Sequence, residues 1–228
     1  FILIWFHDLI VLVITIFSMA EAHKPNISSF HALRQRRCYS ALGVKGEENM
    51  NFCNQCAHPV SIQIPDGDTK ERHVCDGCGV IHYQNPKIVA GCIPEWEGQI
   101  LLCRRGIEPR HGLWTIPAGF MENGETIEQA AARETLEEAC ADVEINGLYG
   151  VFNIPHVNQV YMIFRASLKE RKFASGIESL ETELFSENDI PWSEMAFPVV
   201  VQSLKRFFND RVREEFPAFI DTVAPIKR

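Results

Sequence analysis

Two C-x-x-C pairs, Cys53/Cys56 and Cys75/Cys78, stand in the spacing C-x2-C-x18-C-x2-C, and that spacing leaves the surrounding chain few ways to fold. Each pair forms a tight knuckle that presents two sulfurs to one side, and two such knuckles make a tetrahedral four-thiolate zinc site. A redox role fits one pair better than two, and a chain of 228 residues can bury a core without disulfide staples. Between the pairs, Val60-Ser61-Ile62-Gln63-Ile64 alternates as a strand and Pro65-Asp66-Gly67-Asp68 reads as a turn. Turns and strands pinned by metal are a zinc ribbon, in which ligation supplies folding energy to a segment too short to fold alone. Its cations Lys70, Arg72 and His73 are offset by Asp66, Asp68 and Glu71, so a structural role leads over a nucleic-acid contact. Cys38, Cys92, Cys103 and Cys140 lack such partners and are expected to be small buried hydrophobes.

The second constraint is a helix loaded with carboxylates. Strands are expected at Ile88 to Pro94 and Ile100 to Arg105, around a turn at Glu97-Gly98, followed by the turn-rich run Gly112-Leu113-Trp114-Thr115-Ile116-Pro117-Ala118-Gly119. Thr126 with Gln129 three places on makes a capping box, and Ala130-Ala131-Ala132 favours helix, so a helix is predicted from about Ile127 to Ala139. At roughly 100° per residue, Glu134, Glu137 and Glu138 share an arc with Ile127, Ala130 and Ala131. Carboxylates beside a face to be buried repel one another, and a divalent cation turns that repulsion into binding; hard oxygen ligands suit Mg2+ or Mn2+. Arg133 is placed to pair with Glu137 or Glu125 and fix a carboxylate rotamer. A solvated, salt-bridged helix face would produce the same run.

The first forty-nine residues read differently. Phe1 to Ser18 is an apolar run with Asp8 near its middle and no basic residues ahead of it, a poor signal peptide. Three readings stand: a signal anchor, with Lys24, Arg34, Arg36 and Arg37 following; a transit peptide, from the Ser- and Arg-rich stretch Met19 to Gly43; or an artefactual upstream extension. Lys45-Gly46-Glu47 can be encoded by a string containing AGGAG, a bacterial ribosome-binding sequence, shortly before Met50. The expectation is therefore translation from Met50 and a cytoplasmic protein. An organelle or a membrane-anchored location is the alternative, with membrane contact only if residues 1–18 are a genuine anchor.

Gly119-x5-Glu125-x7-Arg133-Glu134-Thr135-Leu136-Glu137-Glu138-Ala139-Cys140-Ala141 resembles the Nudix box, G-x5-E-x7-R-E-U-x-E-E-x-G-U. The first glycine and the charged positions match. Thr135 takes an apolar position, and Cys140 replaces the final glycine, where a left-handed residue carrying a side chain would be strained. With the ribbon, Tyr83-Gln84-Asn85-Pro86-Lys87, Glu178-Ser179-Leu180-Glu181 and Asp189-Ile190-Pro191-Trp192, the chain is similar to ribbon-bearing Nudix hydrolases, the plant plastid FAD pyrophosphohydrolases and their bacterial relatives in particular. The SQPWPFPxS element of the neighbouring NADH pyrophosphatases is absent from Asn146 to Pro155.

The resemblance implies an α/β/α sandwich around a mixed sheet after the ribbon. It divides the chain into the leader 1–49, the ribbon 50–84, the hydrolase domain 85–216 and a tail 217–228. Val160 to Ala166 is expected as a sheet strand and Phe197 to Phe216 as a C-terminal helix. Implied too is metal-dependent hydrolysis of a nucleoside diphosphate linked to another moiety, FAD or ADP-ribose first. NADH or another dinucleotide, or a nucleotide-sensing module without turnover, are the alternatives. Glu134, Glu137 and Glu138 would hold Mg2+ or Mn2+, with Glu125, Arg133 and Gly119 supporting them and structural Zn2+ on the four cysteines. The general base is left open among a box glutamate, Glu178 and Glu181. Arg104, Arg105, Arg110, Trp114 and Glu181 are candidate substrate contacts, and Trp114, Tyr149 and Phe152 could stack on a ring or pack in the core. A net charge of -8 and the lack of a basic stripe exclude a general nucleic-acid-binding surface. The partner expected is a small nucleotide, and a homodimer is compatible with the resemblance because such domains commonly pair.

Overall fold

The computed structural model describes residues 50–225, so the leader 1–49 lies outside the described residues. The ribbon is a three-stranded antiparallel sheet, β1 (Val60–Gln63), β2 (Arg72–Cys75) and β3 (Ile81–His82), with β2 in the middle. Asp68 and Arg72 tie the turn before β2, at 2.8 Å.

Beyond the ribbon, β4 (Lys87–Trp96) and β5 (Gln99–Arg105) form a hairpin. Its two turn residues Glu97 and Gly98 both take positive φ, 48° and 81°, the geometry that matches the twist of paired strands. Short strands β6 (Trp114–Thr115) and β7 (Ala118–Phe120) lead into α1 (Ile127–Ala139). Then come β8 (Val143–Ile154), β9 (Gln159–Leu168), β10 (Ser179–Phe185), α2 (Pro198–Arg213) and β11 (Phe219–Thr222). The main sheet runs β10-β5-β4-β9-β8-β11, with β6 on β5 and β7 on β4. It is mixed: β4 with β9 and β8 with β11 are parallel, the other pairings antiparallel.

Alternation along the strands sends side chains to two separate cores. Ala90 and Cys92 of β4, with Leu101 and Cys103 of β5, pack with Ala130, Ala131 and Ala139 of α1. Ile93, Ile100 and Leu102 point the other way, into a larger core with Val199, Val200, Leu204 and Phe207 of α2. The result is a sandwich of α1, sheet and α2, as the resemblance implies. α1 is faced with alanines, so it approaches the sheet closely, and that brings its carboxylates to the sheet surface.

Three expectations shift. The segment 217–228, expected as a tail, supplies β11, which pairs with β8 from Gly150 to Asn153 and seats Phe219 on Tyr149 and Phe152. The C-terminal helix is shorter than Phe197 to Phe216: it starts at Pro198, whose missing N–H suits a first turn, and ends where Glu214 turns left-handed. Cys140 is exposed, where a buried thiol was expected; Cys92 and Cys103 are buried. Among the described residues, no helix is long and apolar enough to cross a membrane.

Candidate metal and active site

The ribbon brings Cys53, Cys56, Cys75 and Cys78 together with their sulfurs all within 4.8 Å of one another. The Cys56–Cys75 and Cys53–Cys78 separations are 3.3 and 3.8 Å. A tetrahedron with Zn–S bonds of about 2.3 Å has edges of about 3.8 Å, so the four sulfurs fit a zinc ion. The knuckle amides are aimed at thiolates: Gln55 N–H donates to Cys53 Sγ, and Gly77 and Cys78 N–H to Cys75 Sγ, each at 3.4 Å. The Cys78 N–H, with that of Gly77, holds the Cys75 thiol below its usual range, at about 6.

At the other site, α1 begins as its capping box dictates. The Thr126 hydroxyl accepts from Gln129 N–H and the Gln129 side chain accepts from Thr126 N–H, at 3.2 and 2.8 Å. Three turns of Ala-rich helix then fix the rotation of the carboxylates. Glu134 and Glu138 are buried, 9% and 7% exposed, whereas Glu137 sits at the rim. Thr135 is fully buried in its apolar slot, and its hydroxyl donates back to Ala131 O at 2.9 Å, so it brings no unpaired polar atom.

Arg133 organises the acids. It donates to both oxygens of Glu125 at 3.0 and 2.8 Å, to Glu134 at 2.6 Å, to Glu137 at 3.2 Å and to the Phe120 carbonyl at 3.1 Å. Both expected partners are therefore engaged at once, with Glu134 added. The guanidinium holds the Glu125 carboxyl down at about 2, helped by the Glu122 N–H. Gly119 lies so close to the Glu134 carboxylate that any Cβ there would overlap it, which gives the box glycine a steric reason. Glu138 accepts from Ala118 N–H at 3.1 Å.

Two of the acids resist ionisation. Burial pushes the Glu138 carboxyl up to about 8; the Glu134 charge adds to this, the Ala118 N–H and Arg105 oppose it, and Glu178 adds again. Glu134 is raised by burial against the pull of Arg133. Two buried carboxylates that resist ionisation present hard oxygens, which suit a divalent oxygen-preferring cation. Among the described residues, the cysteines are the one cluster drawn within 4.8 Å; the acids stand wider, around Arg133.

The remaining expected contacts separate. Arg105 lies near enough to oppose the Glu138 shift, while its Nε donates to Pro109 O at 2.9 Å and its guanidinium covers the Phe197 ring at 5.1 Å. Arg104, on the opposite side of β5, donates to Gly112 O at 2.8 Å and pairs with the exposed Glu181 at 3.4 Å. Glu178 bears on both buried glutamates, and Glu181 on Arg104. Trp114 is corrected to a core residue: it is 6% exposed and meets Phe185 edge-on at 4.9 Å. Tyr149 and Phe152 are fully buried as well, and the Tyr149 hydroxyl donates to Asp210 at 2.8 Å. Tyr161, not singled out from the sequence, lies close enough to feel Arg105 and Glu138, and burial pushes it up to about 12. Its place on β9 beside Val89 of β4 was the available signal.

Comparison with known proteins places this geometry. The Nudix N-terminal family profile matches residues 51–84 and the NUDIX domain profile residues 85–206. A crystal structure of a NUDIX hydrolase from Nitrosomonas europaea is 55% identical, superposes with a TM-score of 0.74, and covers 76% of this chain and 99% of its own. An ADP-ribose pyrophosphatase of Methanocaldococcus jannaschii is 30% identical over 133 residues, 56% of this chain and 78% of the relative. An NAD-capped RNA hydrolase NudC of Edwardsiella ictaluri is 36% identical over 100 residues, but the match spans only 42% of this chain and 36% of that protein.

Proposed function

The chain belongs to the Nudix family, and on that premise we propose that it is a divalent-metal-dependent pyrophosphohydrolase. Its substrates would be nucleoside diphosphates linked to a second moiety, ADP-ribose first. The observation that carries the chemistry is the buried pair Glu134 and Glu138, both raised in pKa by burial, Glu134 set against Gly119 and Glu138 held by the Ala118 N–H. Likeness to an ADP-ribose pyrophosphatase supports the substrate class. FAD stays in the panel on the sequence resemblance. A dinucleotide such as NADH is the second reading, favoured by the match to an NAD-capped RNA hydrolase and opposed by the missing SQPWPFPxS element.

Glu134, Glu137 and Glu138 would hold Mg2+ or Mn2+, and the four cysteines a structural Zn2+. Bound there, a divalent cation would neutralise diphosphate charge and lower the pKa of water. The chain does the rest. Arg133 fixes the rotamers of Glu125, Glu134 and Glu137 through four side-chain hydrogen bonds. Ala118 N–H orients Glu138, and Gly119 leaves room for Glu134. Arg105 supplies positive charge on the sheet side of the cleft, where a diphosphate would lie. Glu178, which bears on both buried acids, is the better placed of the two downstream candidates for proton removal.

The test is turnover with Mg2+ and then Mn2+ on ADP-ribose, FAD, NADH and NAD-capped RNA, with products separated by chromatography. AMP plus ribose 5-phosphate from ADP-ribose, at the highest kcat/KM of the panel, is the expected outcome. No turnover of any diphosphate with either metal would overturn the reading.

A further inference from the structure

The strap between β9 and β10 crosses the C-terminal end of α1 before it enters the sheet. Ala174 N–H donates to Ala139 O and Gly176 N–H to Glu138 O, both at 2.9 Å. A tight turn follows, closed by Ser179 N–H on Gly176 O at 3.1 Å, with Ile177 and Glu178 as its central residues. Ile177 is 68% exposed, whereas Glu178 is half-buried. From the end of β5, Gly106 N–H donates to Glu178 O at 2.7 Å. The backbone that carries Glu178 is thus bonded to α1 on one flank and to β5 on the other.

Two glycines allow that fit. A Cβ on Gly176 would overlap Glu137 O, and one on Gly106 would stand 3.1 Å from Glu178 O. Neither glycine takes a positive φ, so what each supplies is close approach and not an unusual backbone angle. Beyond the turn, the register of β10 on β5 shifts: Ser179 pairs with Arg105 and Glu181 with Arg104, which makes Leu180 an extra residue. Such a bulge re-aims side chains, and here it parts the two downstream acids. Glu178 is left where its charge acts on both Glu134 and Glu138, while Glu181 turns to Arg104.

We propose that Gly176 is a positioning residue: by letting the strap seat on the last turn of α1, it fixes the Glu178 carboxylate beside the buried glutamates, over the water that attacks phosphorus. The bond from Gly176 ends on the carbonyl of Glu138 itself. Only two residues of chain, at most about 7 Å, lie between that bond and Glu178. In the step so served, the water oxygen forms the new P–O bond and its proton passes to Glu178. The bridging P–O bond breaks, and its electron pair leaves with the departing phosphate. Gly176 has no side chain to offer this reaction and acts through Glu178. The inference rests on the pyrophosphohydrolase reading, and its test is arranged so that the two fail separately.

A double-mutant cycle between Gly176→Ala and Glu178→Gln isolates the coupling. Each protein, zinc-loaded, is read twice: kcat and KM on ADP-ribose, and Mn2+ affinity by calorimetry without substrate. Glu178→Gln should lower kcat about 100-fold or more. Gly176→Ala should lower it about tenfold with KM little changed, the cost of misplacing an acid by a fraction of an ångström. In the Glu178→Gln background the same alanine should cost less than about twofold. A glycine needed for packing alone would instead lower the melting temperature and leave kcat where it was. That result, additive losses in kcat, or a Glu178→Gln protein as active as the wild type would overturn the proposal. Should the wild type turn over no diphosphate, the hydrolase reading fails and the Mn2+ cycle decides. Each single variant should then weaken Mn2+ binding, the pair no further than Glu178→Gln alone; additive losses, or none, overturn the placement of Glu178. If Gly176→Ala does not fold, Gly106→Ala takes its place with the same expected sign, because its Cβ displaces the Glu178 carbonyl by a few tenths of an ångström from the other flank.

Discussion

The ribbon and the sandwich reach order by opposite means. In the ribbon, Cys53, Cys75 and His82 are buried, while Phe52, Ile62, Ile64 and Tyr83 stay largely exposed. So little apolar area leaves the water that it cannot offset the conformational entropy of some thirty residues. Four sulfurs around one ion supply what area does not. In the sandwich, Ile93, Leu101, Leu102, Ile163 and Phe207 are fully buried in two cores, and no ion is needed to hold the strands. The carboxylates of α1 are a burden on that fold, repelling one another at the sheet surface. A metal in the ribbon makes structure; a metal at α1 would relieve a strain that the structure already tolerates.

Removing zinc tests that division most severely. Apparent zinc-binding free energies in such sites are about 10 to 16 kcal/mol, more than a ribbon of this size can replace. Chelation, or Cys75→Ala, should abolish amide protection across β1, β2 and β3 and leave β4, β8 and β9 protected, as read by hydrogen exchange. Simultaneous loss of protection in both regions would break the comparison.

Glu138→Gln probes the other half. If Glu138 acts on a cation needed for chemistry, activity should fall roughly 100- to 10,000-fold. Stability should hold, because glutamine keeps the shape and removes a carboxyl whose ionisation is opposed by burial and by the neighbouring Glu134. Melting and kcat/KM on the same preparations give the answer. A collapse in melting temperature would make Glu138 a structural residue and reverse the contrast.

Much of this was legible in the sequence, for local reasons. Thr126 and Gln129 set the start of α1, the alanines its length, and Glu97-Gly98 the hairpin, because each depends on neighbours a few residues away. What escaped depends on distant pairing. Phe219–Thr222 is too short to signal a strand and gains its place only from β8. Trp114 reads equally as a ligand contact or a core residue until β10 brings Phe185 to its edge. Arg104 and Arg105 are indistinguishable in sequence, and only the sheet decides that Arg105 faces Glu138 and Arg104 faces Glu181. The zinc site was legible because its geometry is carried by spacing.

Acid reads a smaller difference. Glu125 ionises at about 2 in the folded protein against an ordinary value of 4.5, chiefly through Arg133. A depressed carboxyl stabilises the fold above its unfolded value, and that contribution is lost as pH falls from 4.5 towards 2. Glu125→Gln should therefore lower the melting temperature at pH 6 and make it less steeply dependent on pH below 4.5. An unchanged acid limb would mean that the pair with Arg133 orders the site without stabilising the domain.

The smallest expected effect lies where the sequence departs from the box. Cys140 ends α1 at φ 47° and ψ 32°, left-handed as the missing glycine would be, so the helix keeps its stop and bears the strain of a side chain. The stop survives because the chain after β9 takes over part of the cap: Gly176 N–H donates to Glu138 O and Ala174 N–H to Ala139 O, both at 2.9 Å. Those bonds hold the last turn, and with it the backbone of Glu138, whatever residue follows. Cys140→Gly should consequently raise stability by up to about 1 kcal/mol by relieving the left-handed strain, with kcat/KM changed less than about twofold. Denaturant titration and turnover on the same protein measure both. A gain in turnover well beyond that would show that the cysteine displaces the buried glutamates, and that the cap from Ala174 and Gly176 is not enough to keep them in register.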